Sequence, residues 1–101
     1  MKRFIYIWEY YVKEKYIFKF IELYNPHGEW VQLFRKGKGF IKTEFYQDPD
    51  NPTRFITIDY WESKQLKDQF RMDHSEDYQI MDKKCEGLTE DERFFGDFNE
   101  V

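Results

Sequence analysis

Three side chains have types and spacing suited to chemistry: Asp59, Trp61 and His74. The first two lie in the run Arg54 to Glu62, RFITIDYWE, which alternates as a β-strand does, with side chains on opposite faces at successive positions. Phe55, Thr57, Asp59 and Trp61 therefore share one face, and Ile56, Ile58 and Tyr60 the other. A carboxylate on a helix-covered face loses its water, and the raised pKa that results makes Asp59 a base able to deprotonate a phenol. Asp59 also fits a plain ion pair or hydrogen bond, with Arg35, Arg71 or a tyrosine hydroxyl as partner. Trp61 can press against a flat substrate or simply fill the core beneath a helix. His74, thirteen residues further on, can serve as a base near neutral pH or ligate iron. A lone histidine serves equally well at the surface or at a helix end.

Other chemistries find no support. With two histidines and one cysteine far apart, no set approaches metal-ligand spacing, and no metal is expected. No phosphate-cradling glycine loop, nucleophile elbow or dinucleotide fingerprint occurs, so no cofactor is expected either. The formal net charge of −4 argues against nucleic acid, which calls for a basic stripe. No run is long enough to span a membrane, and no cleavable signal is read from the opening residues. The single Cys85 has no disulfide partner in the chain, sits at helical spacing from Tyr78 and Met81, and suggests the reducing cytoplasm.

Positioning these groups calls for a sheet and helices. Arg3 to Val12 forms a second strand, with Phe4, Tyr6, Trp8, Tyr10 and Val12 facing one way and Ile5, Ile7, Glu9 and Tyr11 the other. In Glu14 to Asn25 the spacing of Ile17, Phe20, Ile21 and Tyr24 is the buried stripe of an amphipathic helix. Asn25-Pro26-His27-Gly28 breaks it, and His27 is read as a loop residue. A short helix from Glu29 buries Trp30, Leu33 and Phe34. Phe40 to Gln47 is a strand, joined to the Arg54 strand as a hairpin by the polar turn Asp48 to Pro52. Ser63 caps the next helix, which carries Leu66 and Phe70. A kink near His74-Ser75 follows, with Ser75 as a fresh N-cap, and Gly87 ends the helical stretch. Thr89 to Glu92 reads as a polar turn or short cap, and Arg93 to Asn99 as a last strand at an edge.

The order β-α-(α)-β-β-α-β is that of an α+β, ferredoxin-like split βαβ fold with a four-stranded antiparallel sheet, one domain over residues 1–101. Helices cover one face of such a sheet. The Arg3 and Arg54 strands are apolar on both faces, and the aromatic fraction is 22%, more rings than a small core hides. The second face therefore calls for a partner, and a copy of the chain packing sheet to sheet is the simplest, with Glu9 in a salt bridge at that interface.

The strand–Trp–Glu–Ser–helix passage, the opening IYIWEYYVK, the Gly39-Phe40 start of the hairpin and the His74 helix together resemble the antibiotic biosynthesis monooxygenase-like family. That resemblance spans nearly the whole chain. It implies a dimeric α/β barrel of ferredoxin-like subunits and a cofactor-independent monooxygenase acting on a flat aromatic or quinol-type small molecule. Trp8, Tyr10, Trp30, Phe34 and Thr57 would line the substrate site, with Asp59 or His74 taking the proton and Trp61 against the ring. Haem-degrading relatives place an asparagine in the first strand, where Tyr10 stands here, and a histidine about one turn nearer the tryptophan. The departure argues against haem degradation. The alternative is a non-catalytic member, a small-molecule-binding or purely structural homodimer.

Overall fold

A computed structural model describes residues 2–101. Four strands, β1 (Phe4–Val12), β2 (Phe40–Gln47), β3 (Arg54–Trp61) and β4 (Thr89–Asn99), form one antiparallel sheet in the order β2-β3-β1-β4. Helices α1 (Ile17–Tyr24), α2 (Glu29–Phe34), α3 (Lys64–Asp73) and α4 (Ser75–Cys85) complete the ferredoxin-like α+β architecture, with β1 and β3 at the centre of the sheet.

Alternation decides which face is covered. On β3 every second residue from Phe55 to Trp61 is buried under the helices, while Ile56, Ile58 and Tyr60 are only half-buried on the reverse face. Phe20 and Leu23 from α1, Leu33 and Phe34 from α2, and Phe70 from α3 close over Phe4, Val12, Phe55 and Trp61 in one core. Trp61 is fully buried, edge-on to Phe34 and Phe40 and 5.2 Å from the Phe70 ring.

Local chemistry sets the boundaries. Ser63 accepts from the Leu66 backbone N–H and caps α3. The turn before β3 is built on Asp48, whose Oδ1 accepts from the N–H groups of Asp50 and Asn51. Gly39, at φ +94°, lies where a Cβ would come within 2.6 Å of Leu66 Cδ1, so α3 packs down onto the start of β2 only because no side chain stands there. Gly39→Ala should cost about 1–3 kcal/mol through strain and overpacking, read by urea denaturation; an unchanged midpoint would contradict this packing.

Four local readings are corrected. Thr89 to Glu92 is neither turn nor cap but the first part of β4, paired with β1 through Tyr11↔Asp91 and Tyr10↔Glu92. Thr89 to Glu92 are all polar, so only the backbone pairing with β1 marks them as strand. The segment from Glu14 opens as a 3₁₀ turn, Glu14–Tyr16, before α1 begins at Ile17. His74, not Ser75, takes the cap position of α4, and no side chain caps it. Glu9 is paired within the chain, accepting from Arg54 Nε at 2.6 Å. Among the described residues no helix is long and apolar enough to cross a membrane.

Candidate functional site

Between the sheet and the helices lies a cavity of about 570 Å³. Its floor comes from the covered face of three strands: Tyr6, Trp8 and Tyr10 of β1, Thr43 of β2, and Thr57 and Asp59 of β3. Tyr24, Trp30, Phe34, Tyr78 and Cys85 supply the helical walls. Arg71, Asp82, Glu86 and Glu92 are exposed side chains at its margin. A largely aromatic concavity of this size with a few polar groups suits a small flat molecule.

Asp59 is the buried charge of the floor, 4% exposed. Hairpin register places Thr43 directly opposite on β2, and the Thr43 hydroxyl donates to Asp59 Oδ1. No ion pair reaches Asp59 among the described residues, so the expected partners Arg35, Arg71 or a tyrosine are replaced by this threonine. Burial pushes the carboxyl from its ordinary 3.8 up to about 7, against the opposing pull of the Thr43 hydrogen bond. An acid so placed holds or releases its proton near neutrality.

The tyrosines around it remain protonated donors. Burial raises Tyr6 and Tyr10 well above the ordinary phenol value, and the Asp59 carboxylate raises both further. The Tyr10 hydroxyl lies 3.2 Å from Thr57 Oγ1. Burial also lifts Tyr78, to about 12, although the Arg71 guanidinium stacked 3.6 Å from its ring centre pulls the other way. Burial raises the Cys85 thiol likewise, which keeps it from acting as a thiolate. Trp30 Nε1 is buried without a hydrogen-bond partner among the described residues.

Of the residues singled out from sequence, Trp8, Tyr10, Trp30, Phe34, Thr57 and Asp59 meet around this cavity. Trp61 does not. It sits in the core below, where its indole N–H donates to the Tyr6 hydroxyl at 3.3 Å and its ring packs edge-on to Phe34, so it reaches the cavity through those two lining residues. His74 is also outside the lining, at the junction of α3 and α4, stacked on Phe70 at 5.2 Å with Nδ1 3.6 Å from Asp77 Oδ2. Thr43 was not anticipated, although counting back from the hairpin turn pairs it with Asp59. Glu92 was hidden by reading its segment as a turn.

Residues 3–79 match the family model for antibiotic biosynthesis monooxygenase. The chain belongs to this family. Solved structures carry the same fold. One from Nitrosomonas europaea, assigned as an antibiotic biosynthesis monooxygenase, superposes with TM-score 0.75 over 98% of this chain and 90% of its own, at 14% identity. A similarly assigned protein from Bordetella bronchiseptica gives 0.75 over 100% and 99%, at 16% identity. A conserved protein from Methanosarcina mazei gives 0.68 over 100% and 95%, at 18%. No curated protein matches the chain. At such identities the shared property is the fold, and the site's chemistry rests on the side chains present here.

Proposed function

We propose that the cavity is the active site of a cofactor-independent monooxygenase acting on a flat aromatic or quinol-type molecule. The observation that carries this reading is Asp59, buried on an aromatic floor with no counter-charge and titrating at about 7. A ring system slides between Trp8 and Tyr10 below and the helical wall around Trp30 and Phe34. Its phenolic proton passes to the Asp59 carboxylate, the electron-rich ring carbon of the anion bonds to dioxygen, and the hydroperoxide formed on reprotonation loses water, which leaves one oxygen atom as a ring carbonyl and returns Asp59 to its starting state. The tyrosine hydroxyls that stay protonated stabilise the anion by hydrogen bonds. Trp61 is a positioning residue in this scheme: it holds the Tyr6 hydroxyl from below. His74 stands apart from the reacting atoms.

The test is a thermal-shift screen of anthrone-like and quinol compounds, flavins and haem, with hits followed for oxygen uptake. Stabilisation with saturable oxygen consumption by a quinol supports the enzyme. Stabilisation without turnover favours the rival, a binding protein of the same fold, for which Asp59 is the polar end of a passive pocket. The unpaired Cys85 is consistent with a cytoplasmic location.

The uncovered sheet face supports a homodimer. Ile5, Ile7, Ile56 and Ile58 are half-buried there, and Phe98 is 51% exposed. Two such faces packed together remove this apolar area from water. Sedimentation at micromolar concentration should give twice the chain mass of 12.7 kDa; a stable single chain would rule out the face-to-face arrangement.

A further inference from the structure

We infer that Trp30 is the specificity-determining residue of the cavity: its indole N–H selects a flat ligand that brings an uncharged carbonyl oxygen to the helical wall. This rests on the reading of the cavity as a small-molecule site and adds the group by which that molecule is recognised.

Trp30 lines the cavity from α2. It is 7% exposed, and its Nε1 is the one buried side-chain nitrogen or oxygen without a hydrogen-bond partner among the described residues. Tyr24, Phe34 and Tyr78 pack around the indole with ring centres 6.0, 5.7 and 5.1 Å away, so its orientation is held by rings. The indole N–H and the Tyr24 hydroxyl both lean toward the Cys85 thiol and partly offset the effect of burial on it. Burial still keeps that thiol protonated, and neutral sulfur is a weak acceptor, so the approach of the indole stops short of a hydrogen bond. A fixed, desolvated donor on the wall of a cavity is completed from the cavity.

The acceptor that fits is an uncharged oxygen. Water entering the cavity can serve the N–H, but a ligand that expels this water without supplying an oxygen leaves a buried donor unpaired. A carboxylate would give up its hydration for a single neutral donor, and the one cation of the lining, Arg71, is engaged on the Tyr78 ring. A carbonyl gives up far less on burial and accepts the same hydrogen bond. Asp59 meets the ligand from the floor and Trp30 from the wall, and the two polar groups have opposite sense. The carboxylate takes a proton from a hydroxyl, and the indole donates to a carbonyl at another edge of the same ring system.

The experiment is calorimetric titration of the full chain with three probes of one shape: 6-acetyl-2-naphthol, 6-isopropenyl-2-naphthol, in which a CH₂ replaces the carbonyl oxygen, and 6-hydroxy-2-naphthoate. The ketone should bind about ten- to a hundredfold tighter than the alkene, the size of leaving a buried donor unpaired, and also tighter than the carboxylate. Trp30→Phe keeps a ring and removes the N–H, so the ketone should fall to the level of the alkene while the alkene changes little. In the ¹⁵N-labelled chain the Trp30 indole N–H resonance should move downfield with the ketone and stay in place with the alkene. That resonance is the one absent from Trp30→Phe; should this variant not fold, Trp8→Phe and Trp61→Phe assign it by elimination among the three tryptophans. Equal binding of ketone and alkene by the native chain overturns the inference and leaves the cavity reading intact. A ketone preference that survives in folded Trp30→Phe, an indole signal unmoved by bound ketone, or a carboxylate that binds tightest overturns it as well. Failure of all three probes to bind rejects both the inference and the small-molecule site.

Discussion

Asp59→Asn should abolish turnover and at the same time stabilise the protein at neutral and alkaline pH. Asparagine keeps a side-chain oxygen for the Thr43 hydroxyl but cannot accept a substrate proton, so the rate should fall about 10²- to 10⁴-fold, the usual contribution of a positioned base. The stability effect has the opposite sign. In the unfolded chain Asp59 ionises near 3.8, whereas burial in the fold holds it protonated up to about 7. Between those values the folded state binds more protons than the unfolded one, so stability contributed by this group is full below about 3.8, declines as pH rises, and is gone above about 7. Asn carries no charge to desolvate and escapes that decline. The variant should gain on the order of 2–4 kcal/mol relative to wild type at pH 8 and little at pH 4. Denaturant titrations at the two pH values check this. Were Asp59 a member of a structural ion pair, the substitution would destabilise the fold at pH 8 instead.

Trp61→Ala should be the most damaging single change to the fold. The indole is fully buried against Phe34, Phe40 and Phe70, and its N–H is bonded to the Tyr6 hydroxyl. Deleting it leaves a cavity that α2 and α3 cannot both fill, for a loss of about 3–5 kcal/mol. In a domain of this length that lowers the melting temperature by roughly 12 °C or more. Trp61→Phe keeps a ring in the same space and should cost much less. A melting temperature unmoved by the alanine would show that the indole is not where the core needs it.

These two residues also show how far the sequence could be read. Alternation along β3 places Asp59 and Trp61 on one face, and they do share it. What alternation cannot tell is where along that face the cavity ends and the core begins. Two residues of strand, roughly 7 Å, separate an acid on the cavity floor from an indole under the helices. Trp8, Tyr10, Trp30 and Phe34 were legible because their periodicities point them to the space between sheet and helices, where the cavity lies.

The marginal residues were harder to see. Asp82, Glu86 and Glu92 have the appearance of an ordinary solvated surface, and only the folded chain brings them to one opening. Glu92 was doubly obscured, since an edge strand rich in charge lacks the apolar period that marks β1 and β3. Histidine at the α3–α4 junction drew attention by residue type alone, and the fold turns it toward Phe70 and Asp77.

The most direct test of Asp59 as the base of an oxygen-dependent reaction is oxygen uptake by wild type, measured from pH 5 to pH 9 with a quinol that binds. The rate should rise through an apparent pKa near 7 as the Asp59 carboxylate forms, and the rise should vanish in Asp59→Asn. A bound quinol consumed at the same rate by both proteins, or not consumed by either, would contradict it.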